Sequence, residues 1–311
     1  MINVGSITQV PKPVGPTVVT IGKFDGIHLG HRALLEKTKA IAIEHSLVPS
    51  VLTFDRHPGT FLNPEATPLP ILGPNQKVQL LDQAGIELLL TIPFDESLAS
   101  LTAQEFVQQV LVSQLSSKAV VIGEDFRFGV GQQGDAETLS ELGKHFGFEV
   151  HTVQALEVAG VRVSTTHIRN LLEQGDVSKS ASFLGRLHST EGVVVHGLKN
   201  GRKLGYPTAN LSRDAEGMLP KDGVYAGWLY SGEDKFMAAL SVGTNETVTA
   251  VPRVLEAHVL DRDDLDLYDQ VVKVEYVDLI RPNLKFSGID ELVIQIGQDV
   301  ESARAILTRL G

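Results

Sequence analysis

Residues 18–32 read VVTIGKFDGIHLGHR, and this stretch decides the fold of the first half of the chain. Val18, Val19 and Ile21 are a β-branched run of the kind that fills a buried strand. Gly22, Asp25 and Gly26 mark a loop, and His28-Leu29-Gly30-His31 opens a segment with Leu34, Leu35, Thr38 and Ile41 at helical spacing. Strand, glycine-rich turn and helix start, in that order, make an anion site. The helix N-terminus offers unpaired N–H groups and a positive dipole, and the glycines let a phosphate approach the backbone. His28 and His31, three apart, present two imidazoles on one side of that start. The pair alone admits three readings: metal ligands, capping or surface residues, or donors to the oxygens of a transferring phosphoryl group. No Cys or further His nearby supplies a third metal ligand.

The pattern then alternates. Strands are expected over 48–54, 86–92, 119–122 and 148–153, and helices over 76–83, after the Thr102–Glu105 capping box, and over 138–146. Such alternation implies a doubly wound parallel sheet of α/β class, with ligands in the crevice beyond the carboxyl ends of the strands. His28 follows one such end and Asp125, in Gly123-Glu124-Asp125-Phe126, follows another. The run RVSTTHIR from Arg162 to Arg169 reads either as a helix N-cap or as a phosphate cradle.

Around Arg186 the grammar changes. Short β-like runs at 192–195, 224–230, 236–242, 254–260 and 271–279, separated by Gly, Asp and Asn turns, predict an antiparallel barrel. Apolar residues at helical spacing over 290–310 predict a terminal helix packed on it. The boundary is expected near 186, giving domains 1–186 and 187–311. Gly197, Gly201 and Gly205, set around Lys199, Arg202 and Lys203, form a tight turn or a basic flap over phosphates. In the extended segment that follows, Thr208 and Asn210 point to one side, as solvated strand residues or as oxygen ligands for Mg²⁺. Glu256 lies on the face opposite Leu255, Ala257 and Val259, as a solvated strand glutamate or a base.

Composition bounds the class. At 311 residues the chain is long enough for two cores, and 42% hydrophobic with 21% charged residues is ordinary for a globular protein. Zero cysteines exclude disulfides and thiolate metal sites and fit a reducing cytoplasm. No signal peptide or apolar run long enough to span a membrane is evident. A net charge of −11 argues against bulk nucleic-acid or membrane-surface binding, while leaving room for phosphate ligands held by local cations.

T-I-G-x-F-D-G-x-H-x-G-H, followed by S-T-T-x-I-R, G-x-x-x-G-R-x-L-G-x-P-T-A-N and L-E-A-H-V-L-D, resembles the bacterial bifunctional riboflavin kinase/FAD synthetase family in motif order over nearly the whole chain. The resemblance implies a Rossmann-like nucleotidyltransferase domain that makes FAD from FMN and ATP, and a riboflavin kinase barrel that makes FMN. It implies phosphate-handling roles for His28, His31 and Arg169, and nucleotide contacts for Gly22, Phe24, Asp25, Gly30, Asp125, Arg162, Ser164, Thr165 and Thr166. In the barrel it implies nucleotide contacts for Gly197, Gly201, Arg202 and Gly205, Mg²⁺ ligation by Thr208 and Asn210, and Glu256 as general base. Its implied ligands are ATP, riboflavin, FMN and FAD, with no nucleic acid or membrane partner. Rival readings are another adenylyltransferase, which leaves the second domain unexplained, and a flavin-binding regulator with decayed sites.

The chain departs from the family at three points. Thr165 stands where Ser is usual, Glu246 and Val248 replace the Pro and aromatic of G-x-N-P-T-[FY], and Asp269 stands where Gly is common. Loss of the proline loosens the loop and loss of the aromatic removes apolar packing area. The kinase is therefore expected to be active with a raised KM for riboflavin. Glu246→Pro combined with Val248→Phe should lower that KM in steady-state assays and leave FMN adenylylation unchanged.

Overall fold

All five residues of the strand Thr17–Ile21 are buried, because both faces of its sheet are covered. The computed structural model describes residues 1–12, 15–56, 68–197, 201, 204–244 and 253–310. Lys199, Arg202, Lys203, Glu246 and Val248, and the expectations attached to them, lie outside the described residues. Contacts divide the chain into two compact units, Met1–Leu69 with Lys77–Val163, and Pro70–Gln76 with Ser164–Gly311.

The first unit contains β1 (Ile2–Val4), β2 (Thr17–Ile21), α1 (Leu29–His45), β3 (Val48–Phe54), β4 (Leu88–Ile92), β5 (Ser117–Gly123) and β6 (Glu149–Val153). Its sheet has the order β1-β4-β3-β2-β5-β6, with every pairing parallel. Val19 and Ile21 join Leu52, Leu90, Val120 and Ile122 on one face, while Val18 meets Ile41 and Ala42 of α1 on the other. Each such fully buried aliphatic side chain contributes about 1.5–3 kcal/mol. The strands run outward from β2 in one direction and from β5 in the other, so the chain's direction across the sheet reverses between these neighbours. That switch point is where an open α/β sheet parts to admit a ligand. The loops after β2 and β5 both leave from it.

The helix expected over 76–83 begins earlier, as α2 (Pro74–Gln83), because proline suits the first helical turn, where its missing N–H costs nothing. The Thr102–Glu105 capping box is formed, with the Glu105 carboxylate accepting from the Thr102 N–H at 2.8 Å. It opens α3 (Ala103–Phe106), which continues as a π-helical turn through Val112, and α4 (Ala136–Phe146) follows. A two-residue hairpin, β7 (Glu157–Val158) and β8 (Val161–Arg162), was not legible in the pattern.

The second unit holds α5 (Thr165–Gln174), α6 (Val177–Leu184) and six strands: β9 (His188–Val195), β10 (Ala209–Leu211), β11 (Gly223–Ser231), β12 (Asp234–Gly243), β13 (Val254–Val259) and β14 (Val271–Pro282). The strands close into a barrel of order β10-β13-β12-β11-β14-β9, antiparallel throughout. The terminal helix α7 (Ile289–Thr308) packs Val300, Ala303 and Leu307 against Ala226, Trp228 and Ala239. By contacts α5 and α6 fold with this barrel, upstream of the sequence-based boundary at 186. The backbone N–H of Lys221 donates to the Leu172 carbonyl at 2.8 Å. Asp269 takes φ 60, the left-handed conformation that glycine adopts most easily and that Asp tolerates better than most residues.

Inside the barrel His188 is 1% exposed. Its Nε2 donates to the Met218 carbonyl at 2.6 Å, and its ring stacks on Tyr276 at 5.6 Å. Burial, opposed by that hydrogen bond, lowers its pKa to about 4. In the unfolded chain the ring titrates near 6.5. Between these values the unfolded chain takes up a proton that the barrel refuses, so stability declines as pH falls through 6.5, and this loss is complete below about 4. Urea unfolding followed by Trp228, the one tryptophan of the chain, should show a His188 share of about 3 kcal/mol. His188→Gln, which keeps a donor and cannot charge, should flatten that part of the pH slope.

Candidate functional site

The β2–α1 junction is built around one hydrogen bond. His28 is the N-cap of α1, with extended φ −75 and ψ 175, and its Nδ1 accepts the His31 backbone N–H at 3.2 Å. An accepting Nδ1 carries no proton, so the cap fixes which ring nitrogen faces the helix start. The His28 ring is only 7% exposed and stacks on His31, with centroids 3.7 Å apart and planes at 14°. Gly30 permits this: a Cβ there would sit 3.2 Å from His28 Cε1. Phe24, fully buried at φ 50, brings its ring within 5.1 Å of His31. Ile27 at φ 39 also lies in the left-handed half, so two non-glycine residues of the loop from Gly22 to His28 are strained, as is common where a loop is shaped for a ligand.

The same loop is tied from below. The Lys23 carbonyl accepts Thr53 Oγ1 at 3.2 Å and Lys77 Nζ at 3.2 Å. Burial pushes the Lys77 ammonium pKa down, and the Asp25 charge opposes it. Across the switch point, where Thr20 of β2 pairs with Val121 of β5, Asp125 follows β5 and accepts from Arg162 Nη2 of β8 at 2.7 Å. Both side chains are exposed, so this ion pair contributes little to stability. Phe126 and Phe128 stack at 5.4 Å beside it.

Ser164 is the N-cap of α5, its Oγ accepting the His167 N–H at 3.2 Å. Thr165 and Thr166 open that helix, and Arg169 is buried one turn along. This stretch folds with the barrel unit, whereas Arg162 belongs to the first.

In the barrel, β10 and β13 set Asn210 directly opposite Glu256. Thr208 Oγ1 donates to Glu256 Oε2 at 3.3 Å, and Asn210 Nδ2 donates to Thr208 Oγ1 at 3.2 Å. A Cβ on Gly197 would overlap the Asn210 carboxamide, which accounts for the glycine. Gly201 would meet the Tyr206 carbonyl in the same way, and Gly205 takes φ 86. The hydroxyl, carboxamide and carboxylate are a hard oxygen donor set of the kind that suits Mg²⁺ beside nucleotide phosphates. A cavity of about 410 Å³ runs from these residues to Phe286, Leu292, Ile296 and Val300. The terminal helix thus lines a cavity as well as packing the core, a role its periodicity alone did not disclose.

Two side chains of this cavity make contacts that their motifs do not disclose. His258, two residues from Glu256 on the same face, donates from Nδ1 to the Pro207 carbonyl at 2.8 Å and so pins the peptide before Thr208. The period-2 spacing from Glu256 carried that signal. Arg281 forms a two-pronged pair with Asp299 of α7 at 2.8 and 2.7 Å, a contact that no local pattern encodes.

A doubly wound unit with a capped imidazole pair at its switch point, in one chain with a barrel that gathers a hydroxyl, a carboxamide and a carboxylate, defines a two-domain nucleotide-dependent transferase. The FAD synthetase family profile matches residues 11–167 and the riboflavin kinase profile residues 184–307. The chain belongs to the bifunctional riboflavin kinase/FMN adenylyltransferase family. It is 35% identical over 300 residues to the enzyme of that name from Escherichia coli K12, covering 96% of this chain and 95% of that one. It is 31% identical over 297 residues to that of Listeria monocytogenes, covering 94% and 93%. A crystal structure described as a macrolide-efflux protein from Streptococcus pneumoniae matches with TM-score 0.88 and 34% identity, over 97% of this chain and 98% of that one. Among the described residues no helix is long and apolar enough to cross a membrane.

The cap predicts how substitutions at His28 divide. His28→Asn keeps a side-chain acceptor at the N-cap and should leave the melting temperature near wild type. His28→Ala loses the cap and should cost about 1 kcal/mol, read as a lower urea midpoint.

Proposed function

We propose that the chain converts riboflavin to FMN in its barrel and FMN to FAD in its first domain, consuming one ATP at each step, in the cytoplasm. The functional division runs 1–186 and 187–311. The observation that carries the reading is the convergence of Thr208, Asn210 and Glu256 at 3.2–3.3 Å, which supports phosphoryl-transfer chemistry in the barrel and argues against a decayed regulator.

In the barrel Glu256 takes the proton of the ribityl hydroxyl as its oxygen attacks the γ-phosphorus of ATP and ADP leaves. Thr208 and Asn210 would hold Mg²⁺, which when bound neutralises charge developing on the phosphates. Gly197, Gly201, Arg202 and Gly205 would contact the nucleotide, as the motif they belong to implies. In the first domain an oxygen of the FMN phosphate attacks the α-phosphorus of a second ATP. The bond from that phosphorus to the bridging oxygen of the β-phosphate breaks, and pyrophosphate departs with the electron pair. His28 donates from Nε2 to the reacting phosphate, and His31 stacks behind it. Arg162 and Arg169 bind the triphosphate as permanently charged forks, with Ser164, Thr165 and Thr166 as hydroxyl donors. Gly22, Phe24, Asp25, Gly30 and Asp125 shape the nucleotide cradle.

Incubation with riboflavin, ATP and Mg²⁺, followed by chromatographic separation, should yield both FMN and FAD. FAD only from supplied FMN would support the simple adenylyltransferase, and neither product would support the binding regulator. His28→Asn should lower FAD formation by roughly 10²-fold while FMN accumulates. Thr208→Ala and Asn210→Asp should depress FMN formation and leave conversion of supplied FMN to FAD near the wild-type rate.

A further inference from the structure

Lys77 is the fourth residue of α2, and its side chain runs inward to the loop after β2, where, among the described residues, its hydrogen bond is to the Lys23 carbonyl at 3.2 Å. That carbonyl already accepts Thr53 Oγ1 at 3.2 Å. A lone carbonyl contact is a poor reason to desolvate an ammonium, since a glutamine would satisfy the same acceptor without the cost of burying charge. The charge that acts on it is that of Asp25, two residues beyond the tethered carbonyl. Between them stands Phe24, buried at φ 50 and packed near His31. The loop therefore carries a carboxylate beside the helix start that is to receive a polyphosphate. A carboxylate there repels phosphate oxygens unless a cation offsets it.

We propose that Lys77 is a positioning residue of the adenylylation site, holding the Lys23 carbonyl and supplying the positive charge that offsets Asp25 where ATP phosphates approach. The inference rests on the reading of the first domain as an FMN adenylyltransferase. It adds a cation from outside the motifs, 54 residues along the chain from the carbonyl it holds. Lys77 has two tasks in this view. Its N–H fixes the backbone that leads into Phe24 and His28, and its charge sets the electrostatic balance of the cradle.

The test is a double-mutant cycle on the full-length enzyme, with FMN supplied, riboflavin absent and ATP varied. Lys77→Met should lower kcat/KM for ATP roughly tenfold or more, chiefly through KM, and Lys77→Arg should recover most of it. In the Asp25→Asn background the same Lys77→Met change should cost less than about threefold, because the charge to be offset is gone. A purely structural lysine would give equal losses in both backgrounds, and that result overturns the proposal, as does a Lys77→Met enzyme with wild-type kinetics. If Asp25→Asn has no turnover, Lys77→Arg decides: recovery supports the proposal and a loss equal to that of Lys77→Met overturns it. Riboflavin phosphorylation by the same preparations reports that the chain is folded. Failure of the wild-type enzyme to adenylylate FMN would instead refute the reading of the domain.

Discussion

A helix has to find acceptors for its first N–H groups, and in α1 the acceptor is an imidazole nitrogen. The bond from the His31 N–H to His28 Nδ1 does more than start a helix. It makes His28 Nδ1 an acceptor and so fixes the orientation of the ring against the helix start. Gly30 is needed because the capping ring occupies the space of a side chain there. The donor of the cap is the His31 backbone N–H, and the His31 ring stacks on the capping ring, with centroids 3.7 Å apart. Of the two readings that the bare sequence offers, the cap is formed, and it sits at a helix start whose N–H groups suit an anion. Ser164 likewise caps α5, its hydroxyl oxygen accepting the His167 N–H.

The barrel depends on register instead. Strand β10 is only three residues long and pairs with both β9 and β13 to complete the closure. A slip of one residue would turn Asn210 from the cavity to the opposite face and take it away from Glu256. Gly197, which clears space for the Asn210 carboxamide, and His258, which holds the Pro207 carbonyl, work against that slip from both sides. So short a strand gains little from its own hydrogen bonds, and these side-chain contacts supply the missing specificity.

What could be read from the sequence follows from how far each signal reaches along the chain. Alternating apolar runs, the Thr102–Glu105 box and the β2–loop–α1 junction are local, and the structure reproduces them. Strand β1 is three residues at a sheet edge, too short for periodicity to register. The packing of α5 and α6 with the barrel was not legible, because an amphipathic helix announces that it has a buried face and not what will cover it. The contacts of Lys77 and the pairing of Arg281 with Asp299 are not legible for a related reason. Lys77 meets an acceptor 54 residues away and Arg281 a carboxylate 18 residues away, and neither lies in a periodic pattern. At Asp269 the departure from glycine was visible, but only the structure shows that the backbone kept the left-handed turn.

Charge ties these observations together. The chain carries a net −11, so its overall field opposes the approach of ATP, and favourable potential has to be produced locally. Two of the carboxylates in the candidate adenylylation site are matched by a cation: Asp125 is bonded to Arg162, and the charge of Asp25 acts on Lys77. The two matches differ in kind. The Arg162 pair is exposed, so water screens it and an arriving phosphate can take the guanidinium at little cost. Lys77 is half-buried and tethered to a carbonyl, so its charge stays in place whether or not a ligand is bound. The exposed pair is screened by water, whereas Lys77 is held by the Lys23 carbonyl. In the barrel, among the described residues, Glu256 accepts from the Thr208 hydroxyl rather than from a cation. A hydroxyl partner is consistent with the base proposed for the barrel, because a permanent positive partner would hold the carboxylate in its ionised form and weaken it as a base.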